Sequence, residues 1–274
     1  MPAEPNLNRH HLAPGQPDVL AVENASAARF LAEYGAGPGA PVVVVIAAFD
    51  EVGSVGPVVS SIAATICGLA VETIVIDDGS TDGTAEVARH AGAMVCRLSV
   101  NLGQGRALKV AYRLARQRGA QLICTADADG QFDLDQLPRL LAPLVAGEAD
   151  FVNGSRRLGR SEASDPIRRA GVVFFGILVS LLTKAKITDP ANGFRAFRVE
   201  VTESVPLRQS QYQTSELLIG ALARGYRVKE VPVTVRERLA GSSKKGGNVL
   251  YGFSFARVVA TTWWTQRRAG RVTG

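Results

Sequence analysis

Short apolar runs alternate with helical stretches along the chain from residue 41 onward. Val42–Ala48 is an unbroken, largely β-branched run of the kind that forms a strand buried on both faces. Later runs predict strands at 72–76, 93–98 and 121–126, and the segments between them predict helices at 55–69, 84–91 and 105–118. Strands joined by helices at such short spacing imply right-handed crossovers and an α/β fold with a mostly parallel central sheet flanked by helices.

The strand predicted at 121–126 stops at two acidic residues. Asp127 and Asp129 are spaced i, i+2, and in extended backbone this spacing places both carboxylates on one side of the strand end. Two hard oxygen donors suit Mg²⁺ or Mn²⁺, ions that also hold a substrate phosphate. A calcium loop fails here because Pro138 stands where the bidentate Glu is required. The pattern predicts a metal site for a diphosphate, and a loop cap is the simpler alternative.

A second acidic strand end comes earlier in the chain. The strand predicted at 72–76 runs directly into the turn Asp77-Asp78-Gly79-Ser80. Ligands of parallel sheets bind beyond the carboxyl ends of the strands, so one cleft could gather all four strand-end acids. A carboxylate in that place can accept hydrogen bonds from a base or a ribose hydroxyl, although Asp-Gly is also a common turn sequence.

Both ends of the chain depart from the alternating pattern. Residues 1–40 are rich in Pro and Gly, which predicts a partly disordered N-terminal tail with one helix near Val19–Tyr34. Residues 41–248 are predicted to form the main domain, and residues 249–274 an amphipathic helix with a basic tail. A content of 46% hydrophobic residues in 274 is ample for a single core.

Charge and cysteine content narrow the partners and the compartment. A net charge of +6 and a pI near 9.5 favour nucleotide diphosphates, nucleic acids or acidic membrane surfaces. Nucleic acid is disfavoured because the basic residues are not interleaved with aromatic ones. Cys67, Cys96 and Cys124 form no Cys-x-x-Cys pair, which is typical of core cysteines in a reducing compartment. The stretch 1–17 lacks the apolar core of a signal peptide, so we expect a cytoplasmic location.

Two apolar segments raise the question of a membrane. Ala170–Thr183 would reach roughly 21 Å as a helix, short of the ~30 Å hydrocarbon core, so we expect a buried or interfacial helix. Val249–Trp264 ends in two tryptophans followed by Arg267 and Arg268, a composition suited to a headgroup interface. Peripheral attachment to a membrane, an anchor supplied by a membrane-anchored partner protein, and ordinary packing on the sheet are all consistent with these segments.

Several motifs occur in a set order along the chain. Four of them are Ile46–Glu51, Val75–Thr84, Asn101–Gly103 and Ala126–Gln131. Together they resemble the inverting family 2 glycosyltransferases of the GT-A fold. Further segments at 153–156, 189–195 and 238–244 look like the dolichyl-phosphate mannose synthase branch, which glycosylates polyprenyl phosphates. The resemblance covers roughly residues 41–255.

This resemblance implies a role for each matching residue. The donor nucleoside would be held by Asp50 or Glu51 together with Asp77 and Asp78. The metal and the donor diphosphate would be bound by Asp127 and Asp129, with Gln131 completing the metal shell. The phosphates would be clamped by Arg156, Arg195, Arg238 and Lys244. The predicted catalytic residues are Asp189, Asp129 and Arg195, and Glu216 is a further candidate on the acceptor side.

The chemistry of such a transfer favours one acceptor. A sugar leaving a nucleoside diphosphate deposits negative charge on the β-phosphate, which a divalent cation stabilises. A phosphate monoester, with a second pKa of about 6, is anionic near neutral pH and needs little help from a base, whereas a hydroxyl acceptor needs one, and Asp189 matches the position proposed for it. The leading hypothesis is therefore a metal-dependent hexosyltransferase that uses a UDP- or GDP-linked sugar and a polyprenyl (dolichyl or undecaprenyl) phosphate. The alternatives are a soluble glycosyltransferase acting on a hydroxyl of a protein, glycan or metabolite, and a non-catalytic nucleotide-sugar-binding protein.

Overall fold

Eight strands form one central sheet, and helices cover both of its faces in the part of the chain that the structure describes. This computed structural model describes residues 18–162, 166–209, 212–237 and 249–268. The strands are β1 Val42–Ala48, β2 Thr65–Ile66, β3 Leu69–Asp77, β4 Met94–Arg97, β5 Leu122–Asp127, β6 Phe151–Ser161, β7 Arg195–Arg198 and β8 Val228–Val235. The helices are α1 Val19–Tyr34, α2 Val55–Ser60, α3 Thr84–His90, α4 Gln104–Gln117, α5 Leu137–Val145, α6 Pro166–Thr183, α7 Glu200–Ser204, α8 Gln213–Ala223 and α9 Val249–Arg268.

The sheet is mostly parallel, as predicted. Its order is β2-β3-β1-β5-β7-β6-β8, with β4 also paired to β3. β1 lies between β3 and β5 and is parallel to both, and β4 extends this parallel half. β7 runs antiparallel to β5 and β6, so it closes the gap between the parallel half and the pair β6 and β8. The carboxyl ends of β1, β3 and β5 therefore share one edge, where a ligand would bind.

The central strands bury both faces. Alternate residues of β1 belong to two clusters: Val43 and Val45 face α4 and α8, whereas Val42, Val44 and Ile46 face α2, α3 and α5. This double burial explains why the run reads as continuously apolar instead of alternating. Two apolar layers on one sheet hold its carboxyl edge in place.

The helix predicted at 55–69 is wrong in its second half. α2 ends at Ser60, and the chain then forms the hairpin of β2 and β3. Cys67 and Gly68 both have positive φ angles, 51° and 77°, which is the backbone of the tight turns that join antiparallel strands. Gly68 permits this turn, and β3 consequently begins at Leu69, before the predicted 72.

The N-terminal helix is present over the predicted Val19–Tyr34 and belongs to the core. Its Phe30 is buried, and Glu23 forms an ion pair of 3.1 Å with Arg106 on α4. Asp18 accepts the N–H groups of Leu20 and Ala21 and so caps the helix. The structure thus joins this helix to the domain that was expected to begin at residue 41.

The two apolar segments form α6 and α9, which pack against each other. Within the described ranges, no helix combines the length and the hydropathy that crossing a bilayer requires.

Candidate active site

The two acidic strand ends flank the end of β1. Ala48 pairs with Asp77 on β3, and Ala47 pairs with Asp127 on β5. Since neighbouring strands lie about 4.8 Å apart, the two acidic ends are about 10 Å from one another. The structure therefore places both predicted clusters at one edge of the sheet.

Asp77 and Asp78 shape the first of these ends from inside the protein. Asp77 is fully buried, accepts the Ser80 N–H at 3.0 Å and forms an ion pair of 3.2 Å with Arg97. Asp78 accepts the N–H groups of Leu102 and Gly103, both at 2.8 Å. Burial raises the pKa of both carboxyl groups above the ordinary value. Both acids thus hold loops in place, a role that the motif alone did not separate from direct contact with a nucleoside.

The turn after Asp78 requires a glycine at position 79. Its φ is +79°, and a Cβ at this position would lie 2.6 Å from the carbonyl carbon of Val100. Only glycine allows the two backbones to approach so closely. The Asp78 turn and the segment before α4 are consequently one rigid unit.

Asp50 and Glu51 join the end of β1 to the same turn. The N–H of Asp50 donates to Ser80 Oγ at 2.9 Å, and its carboxylate accepts the Thr81 N–H at 3.2 Å. The N–H of Glu51 donates to Thr84 Oγ1 at 2.8 Å. Asp50 is exposed and has a left-handed φ of 51°, an uncommon conformation that these hydrogen bonds hold. This pair lies on the open side of the turn, where a nucleoside could reach it.

Asp127 is the last residue of β5, and Asp129 follows it in the next turn. Asp127 Oδ1 accepts the Gln104 Nε2 at 3.1 Å, and buried Asp129 accepts the N–H of Gln131 at 3.1 Å. A Cβ on Gly193 would lie 3.5 Å from Asp127 Oδ2, an ordinary contact distance, so the Gly193 backbone lies directly beside this carboxylate. The side-chain amide nitrogen of Gln131 donates to the Arg236 carbonyl at 3.3 Å. The amide oxygen of Gln131 is therefore the atom that could bind a metal.

This donor set fits a hard divalent cation that shares its shell with a substrate. Among the described residues, no three His, Cys, Asp or Glu side chains come together as a metal cluster. Two carboxylates and the amide oxygen of Gln131 are oxygen donors of the kind that Mg²⁺ and Mn²⁺ prefer. Such an ion would complete its coordination with phosphate oxygens and water.

Asp189 and Arg156 form a bidentate pair next to this end of the sheet. The Arg156 Nε and one terminal nitrogen each donate to the Asp189 carboxylate at 2.7 Å, and the Arg156 N–H adds a third bond of 3.1 Å. Burial lowers the pKa of Arg156, but the Asp189 carboxylate outweighs it, so this pKa is raised above its ordinary value. The fully buried Asp189 carboxylate is thereby committed to Arg156.

The loop that carries Asp189 is held by Glu230, a residue that sequence reasoning missed. Glu230 accepts the Thr188 N–H at 2.7 Å, the Asp189 N–H at 3.2 Å and the Asn153 side-chain amide at 2.9 Å. The one sequence signal for Glu230 is that an acidic residue interrupts an otherwise largely apolar strand. Gln104, the partner of Asp127, was also missed, although it directly follows the Asn101–Gly103 motif.

The remaining predicted residues have other surroundings. Arg195 is fully buried, and its guanidinium donates to the carbonyl groups of Pro190, at 2.8 Å, and Thr214. Burial lowers the pKa of Arg195 to about 10. Glu216 is also buried, and its carboxylate accepts the N–H groups of 208 and 209 at 2.9 to 3.0 Å. Arg238 and Lys244 lie outside the described residues.

The structure thus combines a mostly parallel sheet with acidic residues at the carboxyl ends of β3 and β5, the edge where ligands of such sheets bind. The family model for glycosyl transferase family 2 matches residues 43–205, more than half of the 274 residues. The chain belongs to this family, as the motifs predicted.

Comparisons with individual proteins agree. The chain is 34% identical over 218 residues to the dolichyl-phosphate hexose transferase of Haloferax volcanii, covering 78% of this chain and 92% of that protein. It is 30% identical over 190 residues to the undecaprenyl-phosphate mannosyltransferase of Micrococcus luteus, covering 65% and 77%. The crystal structure of glucosyl-3-phosphoglycerate synthase from Mycobacterium tuberculosis, in complex with Mn²⁺, UDP and glucosyl-3-phosphoglycerate, is similar with a TM-score of 0.62 at 22% identity, covering 94% and 86%. That likeness concerns the fold, and the predicted GT-A fold is confirmed.

Proposed function

We propose that this glycosyltransferase moves a hexosyl group, with inversion, from a nucleotide diphosphate sugar to a polyprenyl phosphate, with Mg²⁺ or Mn²⁺ held by Asp127 and Asp129. The observation that carries the proposal is the pair of carboxylates, Asp127 and Asp129, at the carboxyl end of β5. The names of the two relatives, a dolichyl-phosphate and an undecaprenyl-phosphate transferase, support the acceptor. The Mn²⁺ and UDP of the structural relative support the donor and the metal.

On the donor side, the residues of this chain position the diphosphate. When bound, the divalent cation supplies Lewis-acid stabilisation of the negative charge that builds on the leaving diphosphate. Asp127 and Asp129 hold it, and Gln104 orients the Asp127 carboxylate through the 3.1 Å hydrogen bond. Asp78 keeps the loop before α4 in place, so the nucleoside and the diphosphate meet a rigid surface.

On the acceptor side, the commitment of Asp189 to Arg156 favours a phosphate over a hydroxyl. Both oxygens of the Asp189 carboxylate already accept hydrogen bonds from Arg156, so the carboxylate is not positioned to accept a hydrogen bond from a hydroxyl acceptor. A phosphate monoester is already anionic near neutral pH, with a second pKa of about 6, and requires no such base. The Arg156 side chain is 24% exposed, so its positive charge lies near the surface, where it can attract that anion.

The acceptor lipid is expected to reach the site from a membrane that α6 contacts. Phe174, Ile177 and Leu181 expose 59%, 54% and 74% of their surface and fall on one face of this helix. Another face of α6 holds the segment before Asp189, since Ser180 Oγ bonds to the Ile187 N–H and carbonyl at 3.0 and 2.9 Å. A helix is about 10 Å across, so lipid under this apolar stripe would lie close to the Asp189 loop. Peripheral attachment to the cytoplasmic face is therefore part of the proposal.

Charged and aromatic residues around the stripe suit such an interface. Lys184 and Lys186 are exposed just after α6, and each lysine near an anionic surface contributes about 1 kcal/mol of attraction. Exposed Trp264 lies on α9, which packs on α6. Exposed tryptophan is enriched at the headgroup level of membranes.

Replacing Phe174, Ile177 and Leu181 together by Gln is expected to weaken binding to vesicles with anionic lipids at least tenfold. Each buried side chain of this size contributes about 1.5–3 kcal/mol, and Gln is compatible with the helix. Co-sedimentation with vesicles measures the loss. Leu20→Gln with Val145→Gln, two exposed apolar residues elsewhere, is the matched control and should bind as wild type does. If the triple variant still binds vesicles, these three residues do not form the membrane contact. If wild-type protein is a dimer and the triple variant is a monomer, the stripe is a self-association surface instead.

Transfer of label from UDP- and GDP-sugars into an organic-extractable polyprenyl phosphate product tests the function itself. We expect one donor to give lipid product in the presence of Mn²⁺ or Mg²⁺ and none after chelation by EDTA. Donor hydrolysis without lipid product would favour a soluble hydroxyl acceptor. Donor binding with neither outcome would indicate a non-catalytic nucleotide-sugar-binding protein, and an activity that appears only with a membrane fraction would point to a membrane-anchored partner.

A further inference from the structure

Arg195 carries a buried positive charge without an ion-pair partner among the described residues. Its guanidinium bonds only to the carbonyl oxygens of Pro190 and Thr214, and its Nε has no acceptor. Asp189 and Glu230 attract it from further away. A buried charge whose direct hydrogen-bond partners are all neutral is costly, and an anion in contact with it would offset this cost.

The first turn of α8 adds to this positive potential. This helix of 11 residues begins at Gln213, and its N-cap Tyr212 provides no side-chain acceptor for the first N–H groups. Such groups have no partner within the helix and carry the positive end of its dipole, which makes a helix start attractive to phosphate. Arg195 donates to the Thr214 carbonyl, so the cation and the helix start are adjacent.

Gln213 places an unpaired amide at the same point. The residue is only 3% exposed, yet neither its Nε2 nor its Oε1 has a hydrogen-bond partner. Side chains of a helix tilt toward its N-terminus, so the amide of this first residue extends beyond the helix start. A buried amide without partners in a native structure calls for a ligand or a water molecule.

This point lies next to the reacting groups. The Ser215 hydroxyl donates to the Pro190 carbonyl at 2.9 Å, directly after Asp189. Arg195 pairs with Thr125 on β5, and Thr125 is two residues before Asp127, so their side chains leave the same face of the sheet. The start of α8 therefore sits between the loop of the acceptor side and the strand of the metal site.

We propose that Gln213 and the first turn of α8, supported by the charge of Arg195, bind a phosphate group of a substrate. The inference rests on the proposed function, and the phosphate is that of the acceptor monoester or of the donor diphosphate. The Glu216 carboxylate on the same turn is bound by the N–H groups of 208 and 209, and the positive charge of Lys109 partly offsets its charge, so it weakens the attraction without cancelling it.

Gln213→Leu is expected to raise the KM of one phosphate substrate about tenfold or more, the effect of losing one hydrogen bond to a charged group. A rise in the acceptor KM assigns the site to the monoester, and a rise in the donor KM, which donor hydrolysis also reports, assigns it to the diphosphate. Gln213→Glu keeps the size of the side chain but adds a negative charge, so it should raise the same KM further.

The same variants can overturn the inference. An unpaired buried amide that binds no ligand lowers the stability of the protein. In that case Gln213→Leu would raise the unfolding temperature, and both KM values would stay within twofold of wild type. Gln136→Leu is the matched control, because this buried amide is fully bonded to Asp133 and Thr234, and it should lower the unfolding temperature without changing either KM. If wild-type protein makes no lipid product, the proposed function fails. The KM for the donor, measured by donor hydrolysis, then tests whether Gln213 binds a phosphate group.

Discussion

Asp129→Asn is expected to lower the rate of hexosyl transfer about 10³-fold, which is a loss of about 4 kcal/mol of transition-state stabilisation. The amide retains an oxygen that can accept the Gln131 N–H, so the turn after β5 should keep its shape. The variant loses the negative charge and thus most of the affinity for a hard divalent cation. Titration calorimetry with Mn²⁺ in the presence of the donor nucleotide should show weak or no binding, while the unfolding temperature stays near that of wild type.

Asp135→Asn is the matched control for this experiment. Asp135 is an exposed acid six residues further on, so its removal changes the net charge by the same amount but leaves the site intact. Transfer and Mn²⁺ binding should both be preserved. Equal losses in the two variants, or transfer by Asp129→Asn within threefold of wild type, would remove Asp129 from the metal site.

The main features of the fold were readable from the sequence because local patterns decide them. The apolar run of β1 has its predicted bounds, and the helix at Val19–Tyr34 lies where the chain is free of the Pro and Gly residues that flank it. The hairpin of β2 and β3 was missed because apolar residues between 62 and 71 suit a helix as well as a strand, and only the turn at Cys67 and Gly68 separates the two. The antiparallel position of β7 depends on pairing between distant segments, which periodicity does not report.

The candidate site was predictable in its residue types but less so in their roles. Asp127 and Asp129 could be found because a strand end and an i, i+2 spacing lie in one short segment. By contrast, Asp77, Asp78 and Asp189 are acids whose oxygens are taken by loop N–H groups or arginines, and a sequence does not show which partner an acid has. Glu230 lies 41 residues from Asp189, so only the folded sheet reveals the contact between them.

Separating Arg156 from Asp189 is expected to lower the free energy of unfolding by about 3–5 kcal/mol for either single variant. Asp189→Asn leaves a mostly buried guanidinium without its counter-charge, and Arg156→Met leaves a fully buried carboxylate with one N–H partner. The double variant should lose less than the sum of the two single losses, by a coupling of about 2–3 kcal/mol. Urea denaturation of the four proteins measures the cycle, and the exposed pair of Lys229 and Glu148 serves as a control with little or no coupling.

Kinetics of the same variants distinguish a partner of Arg156 from a general base. If Asp189 only orients Arg156, Asp189→Asn and Arg156→Met should both raise the acceptor KM and leave kcat at saturating acceptor within tenfold of wild type. A general base contributes about 10²–10⁴-fold to the chemical step, so its loss would lower kcat in Asp189→Asn while Arg156→Met kept it. That second pattern would contradict the phosphate acceptor as well, because only a hydroxyl needs its proton removed before it attacks the sugar.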